Sequence, residues 1–164
     1  MMEGIDLDRA TNADARSAAA FSDFYRSRWA QTVRLAGILT QDASVAEELA
    51  QEAFSQVLSR WSDLDEAGAY LHRCVVNAAH MYHRHAKVVR GKLPLLWGAT
   101  DTTQPFDVLA DAVAELPFRQ RAVVVLRYHC DLTEREIAEA LGCRPGTVKS
   151  LASRALRALE RTLS

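Results

Sequence analysis

Between Gly142 and Arg157 the chain carries an ordered set of hydrogen-bond donors. Arg144, Thr147, Lys149, Ser150, Ser153, Arg154 and Arg157 fall on the outward positions of a helical rhythm whose inward positions are Val148, Ala152, Ala155 and Leu156. All seven can donate to phosphate oxygens or to the edges of bases, so the chemistry on offer is capture of a polyanion. A second set lies on the polar side of residues 46–61, where Glu47, Glu48, Gln51, Glu52, Gln56 and Arg60 oppose an apolar stripe. Adjacent carboxylates on a helix diverge, so Glu47 and Glu48 read as a partner-facing acidic surface rather than an acid–base pair. A third set is the run HMYHRH at residues 80–85. His80 and His83 share a helix face, but zinc usually needs three or four ligands. No Asp, Glu or Cys lies nearby, so no metal or other cofactor is expected.

The charge distribution sharpens this reading. The 164 residues carry a net charge of −1, which is unpromising for a polyanion binder. Residues 1–68, however, hold twelve Asp/Glu and six Lys/Arg, whereas Ala67–Thr100 has no acidic residue at all and contains Arg73, Arg84, Lys87, Arg90 and Lys92. Four of the five histidines, His72, His80, His83 and His85, fall there too. Arg144–Ser164 has five basic residues against Glu160. Two cationic segments in an otherwise acidic chain imply two polyanion contacts and leave acidic surface for a different partner. Cys74, Cys130 and Cys143 have no CxxC spacing and read as reduced, mostly buried thiols. No apolar stretch is long enough to cross a bilayer, and Met1–Asp14 lacks the apolar core of a secretory signal, so a cytoplasmic protein with no membrane contact is expected. No phosphate-binding glycine loop, nucleophile elbow or HExxH is present, and the chain is not expected to be an enzyme.

The positioning elements read as helices throughout. Phe21, Phe24, Tyr25, Trp29, Val33 and Ala36 recur at helical spacing from Ser17 to Leu39. Ser44 and Glu47 have the spacing of a capping box. They open the stripe Ala46, Leu49, Ala50, Ala53, Phe54, Val57, Leu58, Trp61. Ser62–Gly68 reads as a loop. A third helix, about Ala69–Arg90, has Leu71, Cys74, Val75, Ala78, Ala79 and Tyr82 as its stripe. Gly91–Asp107 is rich in Gly, Pro and Thr and reads as a linker, although Leu93, Leu95, Leu96 and Trp97 are apolar enough to dock somewhere. Helices are then expected over Val108–Leu116 and Phe118–His129. Thr133 and Glu136 form a second capping box opening Glu134–Leu141, Gly142 stands at a helix C-cap, and Pro145 starts a last helix. The expected architecture is all-α. An N-terminal extension (1–16) precedes two small helical domains, 17–90 and 108–164, joined by a linker (91–107). Short helix, glycine turn and basic second helix make a helix-turn-helix, whose second helix enters the major groove.

At this point the chain resembles a known family. LPFRQRAVVVLRYHCDLTEREIAEALGCRPGTVKSLASRALRALER (Leu116–Arg161) resembles the C-terminal promoter-binding domain of sigma-70 factors. AEELAQEAFSQVLSRW (Ala46–Trp61) and AYLHRCVVNAAHMYHR (Ala69–Arg84) resemble the family's N-terminal core domain. The absence of a middle domain and the short linker point to the extracytoplasmic-function group, of the sigma-E-like kind. The resemblance implies an alternative sigma factor that binds core RNA polymerase and directs promoter recognition and melting. Glu47, Glu48, Gln51, Glu52 and Gln56 would face the polymerase clamp helices. The loop 62–68 would take a flipped base of the −10 element, and Tyr70, Arg73, Asn77, His80, Tyr82 and Arg84 would hold the melted strand, which calls for cationic, flat and amide side chains. Arg144, Thr147, Lys149, Ser150, Ser153, Arg154 and Arg157 would meet the −35 duplex. An anti-sigma factor is a further partner the resemblance allows.

This chain departs from the family pattern conservatively at Glu47-Glu48 and Ala50, where the family has an acidic–Asp pair and valine, and more sharply in three other places. The helix after Asn77 is rich in histidine where the family has arginine, so DNA contact there should weaken as pH rises. Arg144 stands where a serine or threonine cap is common, favouring phosphate contact over capping. Leu151-Ala152 replaces a frequent Arg-Leu, removing a base-facing arginine. The competing reading, a stand-alone helix-turn-helix regulator, needs neither the stripe of 46–61 nor the Asn77 helix.

Overall fold

A computed structural model describes residues 4–90 and 105–164 of the chain, which form seven helices and no strand. Helix α1 (Gly4–Thr40) begins well before the expected Ser17. Alanines 10, 13, 15, 18, 19 and 20 are strong helix formers, and no proline interrupts them. Gln41 takes a left-handed conformation (φ 59°) and turns the chain into α2 (Ala43–Ser59). The N-cap here is Asp42, whose carboxylate accepts from the Ser44 N–H at 3.0 Å and from the Ser44 hydroxyl. The Ser44/Glu47 capping box is therefore not formed. Aspartate caps as well as serine does, and the turn at Gln41 delivers Asp42 first. A 3-10 turn (Trp61–Asp63) leads to α3 (Ala67–Arg90).

Helices α1 to α3 pack around Leu35, Leu39, Ala50, Phe54, Val57, Leu71 and Val75, all fully or nearly fully buried. One end is closed by aromatic rings. Tyr25 lies 4.7 Å from Phe54, and Phe21 and Phe24 each lie 5.2 Å from Trp61, with roughly 0.5–1.5 kcal/mol per well-placed pair beyond burial. Of the expected α2 stripe, Leu58 departs and is 54% exposed.

The second unit comprises α4 (Pro105–Glu115), α5 (Phe118–Tyr128), α6 (Glu134–Leu141) and α7 (Pro145–Leu163). Helix α4 thus starts inside the expected linker, and the apolar run Leu93–Trp97 lies outside the described residues. Thr133 and Glu136 form the expected reciprocal capping box, and Gly142 is left-handed at φ 60°. The two units dock rather than stand apart. Helix α3 packs along α6 and α1 meets α5, giving one continuous core that runs from Leu35 and Val76 into Val123, Ile137 and Val148.

Arg121 of α5 ties the two units together. It is 2% exposed, and its guanidinium donates to the Ala114 and Leu116 carbonyls, each at 2.9 Å, and to the Leu39 carbonyl at 3.1 Å. These oxygens lie at the C-terminal ends of α4 and α1, where carbonyls lack helical partners and a cation is favoured. Neither helix has a basic residue in its own last turn. Two bonds from side-chain amides reinforce the docking, Gln31 Nε2 to the His129 carbonyl at 3.2 Å and Gln41 Nε2 to the Ala114 carbonyl. Among the described residues the three cysteines are free. Cys74 is buried, and burial pushes the half-buried Cys130 thiol up to about 11. No described helix is long and apolar enough to cross a membrane.

Candidate nucleic-acid interface

The helix-turn-helix is built by local chemistry. Thr133 Oγ1 accepts from the Glu136 N–H at 3.3 Å, and Glu136 Oε2 accepts from the Thr133 N–H at 2.7 Å. The Thr133 hydroxyl, which also donates to Oε2 at 2.6 Å, and then the Thr133 N–H hold the Glu136 carboxyl below the usual carboxylate range. The left-handed Gly142 then donates its N–H back to Glu139 O, and the Cys143 N–H donates to Ala138 O at 2.9 Å. Pro145 starts α7, with Val148 fully buried beneath it. Small Ala138 and Ala140 are buried on α6, so the two helices approach closely.

With α7 anchored through Val148, Ala152, Ala155 and Leu159, the seven candidate donors Arg144, Thr147, Lys149, Ser150, Ser153, Arg154 and Arg157 are all exposed. Arg144 is the N-cap residue of α7 and makes no side-chain cap bond, so its guanidinium is not spent on the helix. Arg157 is steadied by a 3.0 Å bond to Ser153 Oγ, and Ser150 Oγ donates to Gly146 O at 3.1 Å. Lys149 approaches Glu134 of α6 at 3.7 Å, a surface pair that an incoming phosphate can replace at little cost.

Helix α3 has three distinct faces. Leu71, Cys74 and Val75 point into the core of the first unit, while His72, Val76, Ala79 and His83 follow the side covered by the second. Arg73, Asn77 and Arg84 are exposed. Tyr70, partly buried, lies under the Arg60 guanidinium at 5.8 Å. Asn77 borders a cavity of about 520 Å³ between α2 and α3, shared with Glu52, Gln56, Met81, Tyr82 and His85. Tyr82 donates its hydroxyl to Asp42, tying α3 to the cap of α2. The candidate His80 is exposed but stacks on Phe118 of α5 at 5.1 Å, so in the docked molecule it touches the other unit. On α2, Glu47, Glu48, Gln51, Glu52 and Gln56 are all exposed along one side.

The seven donors are thus brought together on α7, and the five acidic and amide residues on α2. The α3 set is divided between the exposed face, the cavity and the seam. Sequence reasoning missed the structural weight of Arg121 and His72. The signal for Arg121 was its place on the apolar stripe of α5, three residues after Phe118 and four before Val125.

The comparisons agree with this architecture. Residues 21–88 match the model of sigma-70 region 2, and residues 106–159 match that of sigma-70 region 4. The RNA polymerase sigma-E factor of Streptomyces coelicolor is 34% identical over 151 residues, covering 87% of this chain and 85% of its own. The ECF RNA polymerase sigma factor SigL of Mycobacterium tuberculosis is 31% identical over 174 residues, with 96% of each chain covered. Two solved structures share the fold. The sigma factor RpoE from Bartonella quintana, in complex with the anti-sigma factor NepR, has a TM-score of 0.66 at 21% identity, covering 86% of this chain and 96% of that one. CnrH, in complex with the cytosolic domain of CnrY, has a TM-score of 0.67 at 19% identity, covering 91% and 93%. With regions 2 and 4 in order and relatives aligned along nearly the whole chain, this protein belongs to the extracytoplasmic-function group of sigma-70 factors, which are transcription initiation factors and not enzymes.

Proposed function

We propose that the exposed side of α2, through Glu47, Glu48, Gln51, Glu52 and Gln56, docks on core RNA polymerase in the cytoplasm. Tyr70, Arg73, Asn77, His80, Tyr82 and Arg84 of α3 hold the melted −10 strand, and the seven donors of α7 meet the −35 duplex. The observation that carries this reading is the exposure of all five α2 candidates and all seven α7 candidates, each on one side of a helix whose other side is buried. The positions named −35 and −10 are about 25 base pairs apart, roughly 85 Å along B-form DNA. A docked chain of this length has a radius of gyration of about 15 Å, so the docked molecule cannot cover both. Residues 91–104 can span roughly 46–50 Å when extended. Promoter binding therefore requires the α3–α6 seam to open, with polymerase holding the units apart. Since RpoE of Bartonella quintana was solved with the anti-sigma factor NepR, an anti-sigma partner for this chain belongs to the same proposal.

The test is association with core polymerase followed by transcription in vitro. Charge reversal at Glu48 and Glu52 should abolish core binding and transcription while helicity by circular dichroism stays unchanged. Retained binding with normal helicity refutes the α2 assignment.

A further inference from the structure

Four of the five histidines lie along the boundary between the two units. His72, His80 and His83 come from α3, and His129 follows α5. His72 is 8% exposed. Around it, Arg28 projects from α1, Glu66 precedes α3, and Glu136 and Cys130 face it from the second unit across a cavity of about 240 Å³. Burial, and then the Arg28 charge, lower its proton affinity; Glu136 opposes them without reversing the direction. His83 Nε2 lies 2.7 Å from Arg121 Nη2. A guanidinium only donates, so this contact requires an unprotonated imidazole nitrogen as acceptor. The ring also meets Phe118 edge-on at 5.5 Å. His129, whose carbonyl accepts from Gln31, has a buried Nε2 with no hydrogen-bond partner among the described residues. The exposed His80 also reaches across the seam and stacks on Phe118 at 5.1 Å.

We infer that the histidine seam makes docking of the two units acid-labile, so that acidification opens the molecule and frees its two DNA-binding surfaces to separate. A proton on His83 converts an acceptor into a second cation beside the buried Arg121. A proton on His72 places a second positive charge beside Arg28 at a buried position of the seam. Because His72 holds its proton more weakly when docked, the docked form binds fewer protons than the open one. Its contribution to docking is complete above about pH 6.5, the exposed imidazole value. It is lost as pH falls below that, and levels off below the depressed docked value. Each proton taken up on opening changes the open-to-docked ratio by up to about tenfold per pH unit.

Small-angle scattering of the full chain at pH 7.5 and 5.5 tests this, with circular dichroism as the check on helicity. The radius of gyration should rise at pH 5.5 with helicity preserved, and His72→Gln/His83→Gln should stay compact at both values. An unchanged radius in the wild type overturns the inference, as does opening of the double variant to the same extent. If that variant fails to fold, the wild type still decides. The imidazole resonances of His72 and His83 must titrate over the pH range in which the radius grows, and titration of both without expansion overturns the proposal.

Discussion

Replacing Arg121 with methionine keeps most of the side-chain volume and removes the charge and every donor. Three carbonyls then lose a charged donor, those of Ala114 (which keeps Gln41 Nε2) and Leu116 within the second unit and that of Leu39 across the seam. A hydrogen bond from a charged donor contributes about 1.5–3 kcal/mol. Three such bonds are offset by the several kcal/mol it costs to keep a guanidinium out of water. The net loss should be about 2–4 kcal/mol, a large share of the roughly 5–15 kcal/mol that stabilises a typical domain. In urea, with a slope of about 2 kcal/mol per molar, the unfolding midpoint should fall by about 1–2 M. Arg121→Lys should be intermediate, because one ammonium cannot serve three carbonyls on two helix ends. A methionine variant within about 0.5 kcal/mol of wild type, or a lysine variant that restores full stability, would show that the guanidinium does not cap both helices.

The remaining expectations concern the helix-turn-helix. Thr133→Ala removes half of the capping box and should cost about 1–2 kcal/mol, read from thermal unfolding. Because the folded state holds the Glu136 carboxyl below its usual range, that contribution is present above about pH 4.3 and fades as pH falls through the depressed value. The alanine variant should therefore show a shallower acid dependence of stability, and an unaltered dependence would contradict the capping geometry. Gly142→Ala meets open space but keeps φ at 60°, so it should destabilise by about 1–2 kcal/mol through backbone strain alone. A neutral result in urea would count against the left-handed turn. Arg154→Ala should cost about 1–3 kcal/mol at the cognate promoter if the residue reads a base, whereas Lys149→Ala should weaken all duplexes alike and flatten the salt dependence. Normal transcription by both variants would mean that α7 is not the reading helix.

How much of this was legible depended on how local each signal was. Thr133, Glu136, Gly142 and Pro145 act within four residues of themselves, and α6 has the boundaries their spacing implied. The start of α2 was misread because Asp42 and Ser44 both suit a cap, and the left-handed Gln41 that decides between them leaves no sequence trace. The faces of α2 and α7 followed from helical periodicity. The seam did not, because His72 and Arg121 look like surface residues until helices distant in sequence bury them. Likewise, the stacking of His80 on Phe118 joins residues 38 apart, beyond the reach of periodicity.

The continuous core through Leu35, Val76, Val123 and Ile137 has a consequence for exchanging modules between relatives. A chimera that grafts a foreign α4–α7 segment onto this α1–α3 bundle inherits α7 whole, since that helix keeps its supports within the segment. It also inherits a foreign set of side chains opposite Val76, Ala79 and Leu39. Such a hybrid can recognise the donor's DNA sequence and still be poorly made in the cell, because its free form leaves that mismatched surface exposed to aggregation and proteolysis. Compensating changes on α3, introduced together with the graft, are the rational route to a stable chimera.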